Sequence, residues 1–183
     1  MYIALYLLGG LILLVLVLAL LAPKSYNVYR SVEIRRPRAE VFEFLRFLKN
    51  QETWSPWEKR DPKMKKEFRG TDGQAGAVSS WKGNKEVGEG EQEIKKIVPG
   101  ERVDGELRFF KPWKSTSACY LITDDAGKGT TRVTWGFSGR NKFPMSIMML
   151  FMNMDKMVGK DFEDGLAALK MHLEADTGKM VPE

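Results

Sequence analysis

Residues 101–110, ERVDGELRFF, alternate between apolar and charged side chains, which is typical of a β-strand with one buried face. The apolar face carries Val103, Gly105, Leu107 and Phe109, and the charged face carries Arg102, Asp104, Glu106 and Arg108. Successive side chains of a strand point to opposite sides of the sheet, so another element has to cover the apolar side. This strand therefore predicts a sheet with one buried face and one charged face.

The same strand lies within a series of short β-like runs. The six runs cover residues 64–69, 76–82, 88–98, 101–110, 115–124 and 130–138. Glycine, proline and asparagine residues separate them, and this regular spacing with short connections predicts an antiparallel meander. A further run, residues 26–35, places Val28, Val32 and Ile34 on one face and predicts a strand ahead of the meander.

Two amphipathic segments predict the helices that cover the sheet. Residues 37–48 have apolar residues at three- and four-residue steps, and Pro37 suits the first turn of a helix. Residues 144–174 repeat this pattern, with Phe162 and Leu166 on the apolar face. Together the elements predict an α+β fold in which a curved antiparallel sheet of about seven strands grips a long C-terminal helix.

The N-terminal stretch predicts a membrane anchor. Residues 3–22, IALYLLGGLILLVLVLALLA, contain no charged side chain, and a helix of this length rises about 30 Å, the thickness of the bilayer hydrocarbon core. The length of the run, the absence of a preceding basic residue and the following Pro23 argue against a cleaved signal sequence. We predict a transmembrane anchor over residues 1–23, one domain over 24–176 and a flexible tail over 177–183.

The charges beside the anchor predict its orientation. The basic residues that follow it closely are Lys24, Arg30, Arg35, Arg36 and Arg38, and none precedes it. Cytoplasmic flanks of membrane helices carry an excess of Lys and Arg, so the domain is expected to face the cytoplasm from a single-pass anchor. The reverse orientation, which would place the domain outside the cell, stays open.

The composition argues against several kinds of site. The chain has a net charge of +5, but acidic residues dilute its most basic stretch, residues 59–69, so no nucleic-acid partner is expected. A single cysteine, Cys119, and a single histidine, His172, cannot form an intramolecular disulfide or a zinc site of the usual ligand type. We therefore expect no metal and no cofactor, and the sequence leaves the oligomeric state open.

Five motifs, taken in order, resemble a known superfamily. They are SVEIRRPRAEVF (31–42), WSPWEKRDP (54–62), WKGNKEVGEG (81–90), TRVTW (131–135) and FEDGLAALK (162–170). Over residues 26–175 the chain resembles the START-like, or Bet v 1-like (SRPBCC), superfamily, and within it the polyketide cyclase/dehydrase-type proteins of bacteria. The resemblance implies a helix-grip fold with a deep apolar cavity, in which lipid carriers, hydrophobic-ligand sensors and a few cyclases are found.

Aromatic and methionine residues are the predicted ligand contacts. Trp57, Trp81, Tyr120 and Trp135 are expected to line the pocket, Met148 and Met152 to close it, and Arg108 to pair with an acidic headgroup. Six of the ten methionines lie within residues 145–157. Because methionine is flexible and polarisable, this segment could pack the core, gate a pocket or touch the membrane.

Three functions are compatible with these features. The first is a membrane-anchored module that binds or transfers a lipid, isoprenoid or polyketide-like ligand. The second is a cyclase or dehydratase, which needs an inward carboxylate or tyrosine, with Glu93 and Tyr120 as candidate catalytic residues. The third is a regulatory membrane protein that binds no ligand, and a cavity too small for a ligand of about 300 Å³ would favour it.

Overall fold

The computed structural model describes residues 2–141 and 143–175 of the 183-residue chain. The elements are α1 (Tyr2–Leu21), β1 (Ser25–Ile34), α2 (Arg38–Leu45), a 3-10 turn (Lys49–Thr53), α3 (Pro56–Arg60), β2 (Lys65–Arg69), β3 (Val78–Lys82), β4 (Glu89–Val98), β5 (Arg102–Lys111), β6 (Ser115–Gly127), β7 (Thr130–Arg140), α4 (Met145–Met148) and α5 (Met154–Ala175). This order confirms the α+β fold expected from the sequence. The predicted tail, residues 177–183, lies outside the described residues.

The seven strands form one antiparallel sheet in the order β1-β7-β6-β5-β4-β3-β2. Its register places Ser25 opposite Arg140 and Glu89 opposite Lys111. These residues mark one end of the sheet, which also holds the β3–β4 and β5–β6 turns. We call it the anchor end, because the chain enters β1 there from α1. The opposite end holds the β2–β3, β4–β5 and β6–β7 turns.

The register also divides the strand side chains between two faces. Val28 and Cys119 both lie opposite Phe137 and are buried in the core with it, on the face that packs against α5. We call this the inner face. Tyr29 and Tyr120 both lie opposite Gly136, one residue out of phase, and therefore stand on the outer face.

Helix α5 covers the inner face mainly along β1 and, to a smaller extent, β7. Its buried side chains include Phe162, Leu166 and Leu169, each at most 2% exposed. Burying a large apolar side chain of this kind stabilises the fold by about 1.5–3 kcal/mol. The spacing of these residues in the sequence predicted the buried face of α5 correctly.

Two glycines allow α5 to approach the sheet closely. A Cβ on Gly165 would lie 2.8 Å from the Trp135 ring, and a Cβ on Gly159 would collide with the Arg30 guanidinium. Arg30 in turn pairs with Asp155 at 2.8 Å and with Glu163 at 2.7 Å. The helix is therefore held to β1 by polar contacts near its start and by apolar packing along its length.

The sequence placed the start of this long helix too early. It predicted one helix from residue 144, whereas α5 begins at Met154, after the short helix α4 and a turn. Asn153 explains the boundary, because its side-chain oxygen accepts a hydrogen bond from the Lys156 amide at 3.1 Å. An asparagine that binds an amide two or three positions ahead is a favourable helix start.

Helix α1 is long and apolar enough to cross a membrane, and it is not buried against the rest of the chain. Beyond it, Ala22 is buried, and Asn141 donates hydrogen bonds to the carbonyls of Lys24 at 3.0 Å and Pro23 at 2.9 Å. The residues that follow α1 are therefore tied to the segment that follows β7. The division of the chain into an anchor and a domain stays a prediction.

Candidate hydrophobic-ligand site

Four aromatic side chains fill the space between the inner face and α5. Trp135 on β7 stacks on Phe162 of α5 with ring centroids 4.2 Å apart. Trp54 and Trp57 meet Trp135 edge-on at 4.8 and 5.5 Å. Such aromatic pairs contribute about 0.5–1.5 kcal/mol each beyond their burial. We call these four residues the aromatic cluster.

The connector before β2 delivers two of these tryptophans to the middle of the sheet. Pro56 at the start of α3 has the backbone angle that a first helical turn requires. Ion pairs then fix this helix, since Glu58 pairs with Lys66 on β2 and Arg60 pairs with Asp161 on α5. None of the five residues of α3 is fully buried. Trp57 therefore reaches the aromatic cluster from a short helix that is held mainly by ion pairs.

The void beside the aromatic cluster is small. It has a volume of about 20 Å³, and its walls include Leu45, Ile94, Val103, Leu121 and Trp135. Such a volume accommodates about one water molecule, whereas ligand pockets start at about 300 Å³. In this conformation the interior is therefore filled by the protein's own side chains.

One polar atom of the aromatic cluster has no hydrogen-bond partner in the described part of the chain. Trp54 is 1% exposed, and its Nε1 is buried without a hydrogen-bond acceptor among the described residues. A buried donor without an acceptor costs about 1–3 kcal/mol. An acceptor oxygen on a bound molecule would satisfy it. Sequence reasoning did not single out this N–H, because a buried indole usually finds an acceptor within the protein.

The inner face is less covered on β3 to β5 than on β7. Trp81 and Phe109 meet edge-on at 5.8 Å, and both side chains, like Leu107, are only partly buried. The Trp81 ring lies across Gly90, where a Cβ would come within 2.6 Å of it. Since α5 packs mainly on β1, these side chains form an apolar patch beyond the helix, which we call the open patch.

The structure brings together only some of the predicted ligand contacts. Trp57 and Trp135 meet in the aromatic cluster, and Trp81 lies on the same face in the open patch. Met148 and Met152 instead lie between β7 and α5, and neither belongs to the buried core. Met154, the first residue of α5, is the methionine in this region that packs against the core.

Arg108 and Glu93 both lie on the outer face of the sheet. Arg108 binds three carboxylates on the outer face, at 2.7 Å to Glu91, 2.7 Å to Glu93 and 2.5 Å to Glu106. The hydrogen bonds from Lys95 and Arg108 hold the pKa of Glu93 below its ordinary value. The expectation that Glu93 points inward is wrong, because Glu93 is in the outer phase of β4. Arg108 lies on the charged face of β5, as the alternation of its strand predicts, and its pairing with a headgroup stays a prediction.

Tyr120 also lies on the outer face. Its ring covers Gly136, its hydroxyl donates to Asn27 Oδ1 at 3.2 Å, and Arg102 lies 4.9 Å from the ring centroid. It lines an open hollow of about 450 Å³ along β6, together with Tyr29. The predicted inward position of Tyr120 is therefore wrong. The apolar residues on both faces of residues 115–124 were the sequence signal for this hollow.

The inner wall offers little acid–base or nucleophilic chemistry. Cys119 is buried beside Gly105, and burial raises the pKa of its thiol to about 12, which keeps it protonated. Asp125 is in the inner-face phase of β6, opposite Thr131, but its side chain is exposed at the end of the strand. Within residues 2–141 and 143–175, no group of three His, Cys, Asp or Glu side chains is placed to hold a metal ion.

The architecture defines the class of protein. A curved seven-stranded antiparallel sheet that grips a long C-terminal helix, with an apolar face between them, is a Bet v 1-like helix-grip fold. Residues 25–174 match the family described as polyketide cyclase / dehydrase and lipid transport, and the chain belongs to this family. A search of curated proteins gave no match.

Solved structures agree with this fold. The Mll3558 protein from Rhizobium loti has a TM-score of 0.60 and 17% identity over 81% of this chain and 97% of its own. Ara h 8.0201 has a TM-score of 0.56 and 11% identity over 83% of this chain and 99% of its own. An Aha1 dimer from Colwellia psychrerythraea has a TM-score of 0.53 and 14% identity, covering 84% and 99%. At these identities the likeness shows the fold alone.

Proposed function

We propose that this protein is a membrane-anchored module that binds or transfers a hydrophobic ligand between its sheet and α5. The ligand class is a lipid, isoprenoid or polyketide-like chain, and the domain faces the cytoplasm. The observation that carries this proposal is the largely apolar inner face, which holds both the aromatic cluster and the partly exposed Trp81 and Phe109. Apolar area removed from water would supply most of the binding energy, at about 25 cal/mol per Å².

Binding requires the interior to expand. A void of about 20 Å³ holds no lipid chain, so the ligand has to separate Trp57 from Trp135. Trp57 suits this movement, because its helix has no fully buried residue and is held by ion pairs that are partly exposed. A ligand that reaches the cluster would also provide the acceptor that Trp54 Nε1 lacks among the described residues.

Photo-crosslinking tests this function. The full chain would be reconstituted in phosphatidylcholine vesicles with a trace of a fatty acid that carries a diazirine near the end of its chain. We expect crosslinks on inner-face peptides that contain Trp81 or Leu107, and these should be lost in Trp81→Ala. Tyr29→Ala removes an exposed aromatic side chain from the outer face and serves as the matched control. Crosslinks confined to α1 would overturn the proposal.

A second candidate is an interaction module that binds no ligand inside. The filled interior and the 450 Å³ hollow on the outer face favour it. In that case the fold would present Tyr120 and Arg102 to a partner at the membrane. Absence of inner-face crosslinks, together with loss of partner binding in Tyr120→Ala, would support this second function. The positions of Glu93 and Tyr120 give no support to cyclase chemistry by these two residues.

A further inference from the structure

The anchor end of the sheet exposes an unusual number of large apolar side chains. Trp113, in the β5–β6 turn, is 68% exposed, and Phe110 beside it is 45% exposed. In the connection from β7 to α5, Phe143 is 65% and Phe151 is 80% exposed. Met148 and Leu150 add to this connection. We call these six residues the apolar rim.

The opposite end of the sheet has a different surface. Its turns are glycine-rich or polar, with the sequences GTDGQAG at residues 70–76, PGE at 99–101 and GKG at 127–129. Met171, near the end of α5, is the large apolar side chain exposed there among the described residues. Scattered exposed apolar residues need no explanation, but a cluster confined to one end indicates an interaction surface.

Basic residues accompany the apolar rim. Lys24, Lys85, Lys114 and Arg140 all lie at the anchor end, and all four are exposed. None of them takes part in an ion pair within the described parts of the chain, whereas Lys111 is paired with Glu89. Exposed aromatic side chains beside free basic groups match the chemistry of an anionic bilayer surface.

The rim is held close to the end of α1. Asn141, at the end of β7, donates hydrogen bonds to Lys24 and Pro23 just after the anchor. Helix α4, which carries Met148, contacts α1 itself. If α1 spans a bilayer, these contacts set the apolar rim at the headgroup level of the leaflet in which α1 ends.

We infer that the apolar rim is a second membrane contact, in which Trp113, Phe143 and Phe151 enter the interface of an anionic leaflet. In this arrangement Lys114 and Arg140 lie at the lipid phosphates. The anchor end of the sheet then rests against the bilayer surface. This inference rests on the proposed membrane attachment of α1, but not on ligand binding. Under this inference the domain has a fixed orientation relative to α1 and the membrane surface.

Tryptophan quenching by brominated lipid tests the contact. The full chain would be reconstituted in vesicles of phosphatidylcholine and phosphatidylglycerol, with or without phosphatidylcholine brominated near the headgroup end of its chains. We expect quenching in the wild-type protein and loss of most of it in Trp113→Phe. The control is Trp113→Phe combined with Glu101→Trp, which moves an exposed indole to the opposite end and should restore emission without restoring quenching.

Two further outcomes separate the rim from the anchor. Extraction with alkaline carbonate should leave both wild type and Trp113→Phe in the membrane, and release of the wild type would overturn the attachment on which the inference rests. Equal quenching in wild type and Trp113→Phe, with the protein still embedded, would overturn the rim alone. Lys114→Gln should reduce quenching in the anionic vesicles and leave it unchanged in vesicles of phosphatidylcholine alone.

Discussion

The inner and outer faces of this sheet are built from the same strands and differ only in phase. On β5, Val103 is buried against the core, whereas Arg108 on the outer side holds three carboxylates. The inner face gains its stability from apolar packing, and the outer face pairs charges that remain partly in water. A ligand on the inner face would therefore be bound mainly through buried apolar area, because the charged candidate residues, Arg108 and Glu93, lie on the outer face.

The largest difference between the faces should appear on truncating Trp135. Trp135→Ala removes the centre of the aromatic cluster and is expected to lower the free energy of unfolding by about 3–5 kcal/mol. Thr134→Ala changes the neighbouring residue, whose hydroxyl meets Ser31 on the outer face at 2.8 Å, and should cost about 1 kcal/mol. Urea unfolding of the full chain in detergent would measure both, and equal losses would contradict the comparison.

A smaller effect is expected from filling the contact between α5 and the sheet. Gly165→Ala improves helix propensity by about 1 kcal/mol, but the added Cβ would lie 2.8 Å from the Trp135 ring. Overpacking costs about 1–3 kcal/mol, so we expect a net loss of stability of about 1 kcal/mol. The same urea titration would detect it.

A double-mutant cycle makes this prediction specific. Trp135→Phe shortens the ring that Gly165→Ala would strike, so the alanine should be better tolerated in the Trp135→Phe background. A Gly165→Ala variant that is more stable than wild type would show that the close contact between α5 and the Trp135 ring does not require a glycine.

The outer face should tolerate the loss of its central charge better. Arg108→Met leaves Glu91, Glu93 and Glu106 close together without their shared partner, and we expect a loss of at most about 1 kcal/mol at neutral pH, since the cluster is partly exposed. The pKa of Glu93 should rise towards its ordinary value of 4.5. Thermal unfolding as a function of pH would measure both effects.

The direction of the pH dependence follows from the lowered pKa of Glu93. Its ionised form is favoured in the folded state, so its contribution to stability is present above about pH 4.5 and is lost as the pH falls through the lower folded value. Arg108→Met should flatten this acid limb, although the Lys95 contact persists. An unchanged acid limb would contradict the assignment of Arg108 as a partner of Glu93.

The smallest effect concerns the thiol on the inner face. Burial raises the pKa of Cys119 to about 12, so a maleimide should label it in the folded protein only as fast as the fold opens. Because the folded thiol holds its proton more tightly than the unfolded one, its contribution to stability is lost as the pH rises from about 9 towards 12. Fast labelling of the native protein at neutral pH would contradict the inner position.

The periodicity of the sequence predicted the sheet and the buried face of α5, because alternation and three- to four-residue spacing directly reflect burial. The sequence was a poorer guide to which face of the sheet an individual side chain occupies. Residues 115–124 are apolar on both sides, so their alternation did not distinguish the two faces, and Tyr120 was assigned to the wrong one. Arg108 was assigned a ligand although its own strand placed it on the charged side. Trp57 and Trp135 were predicted to line a ligand pocket; the structure brings their rings into contact, and their role towards a ligand stays a prediction.

Two features could not be obtained from the sequence. The size of the interior void depends on how the aromatic cluster packs, which is set by contacts between residues far apart in the chain. The apolar rim depends on the sheet register, which brings Trp113 and Phe143 to the end that carries α1. Residues 145–157 were recognised as unusual, and Met148 and Met152 were predicted to close the pocket, but the fold places both outside the buried core.

Native mass spectrometry tests the central claim most directly. The full chain would be extracted from the membranes of its own host in a mild detergent and released intact in the gas phase. We expect one apolar molecule bound to each chain, and we expect Trp81→Ala to lose it while Tyr29→Ala retains it. A bare chain in every preparation, with folded wild-type protein, would contradict ligand binding between the sheet and α5.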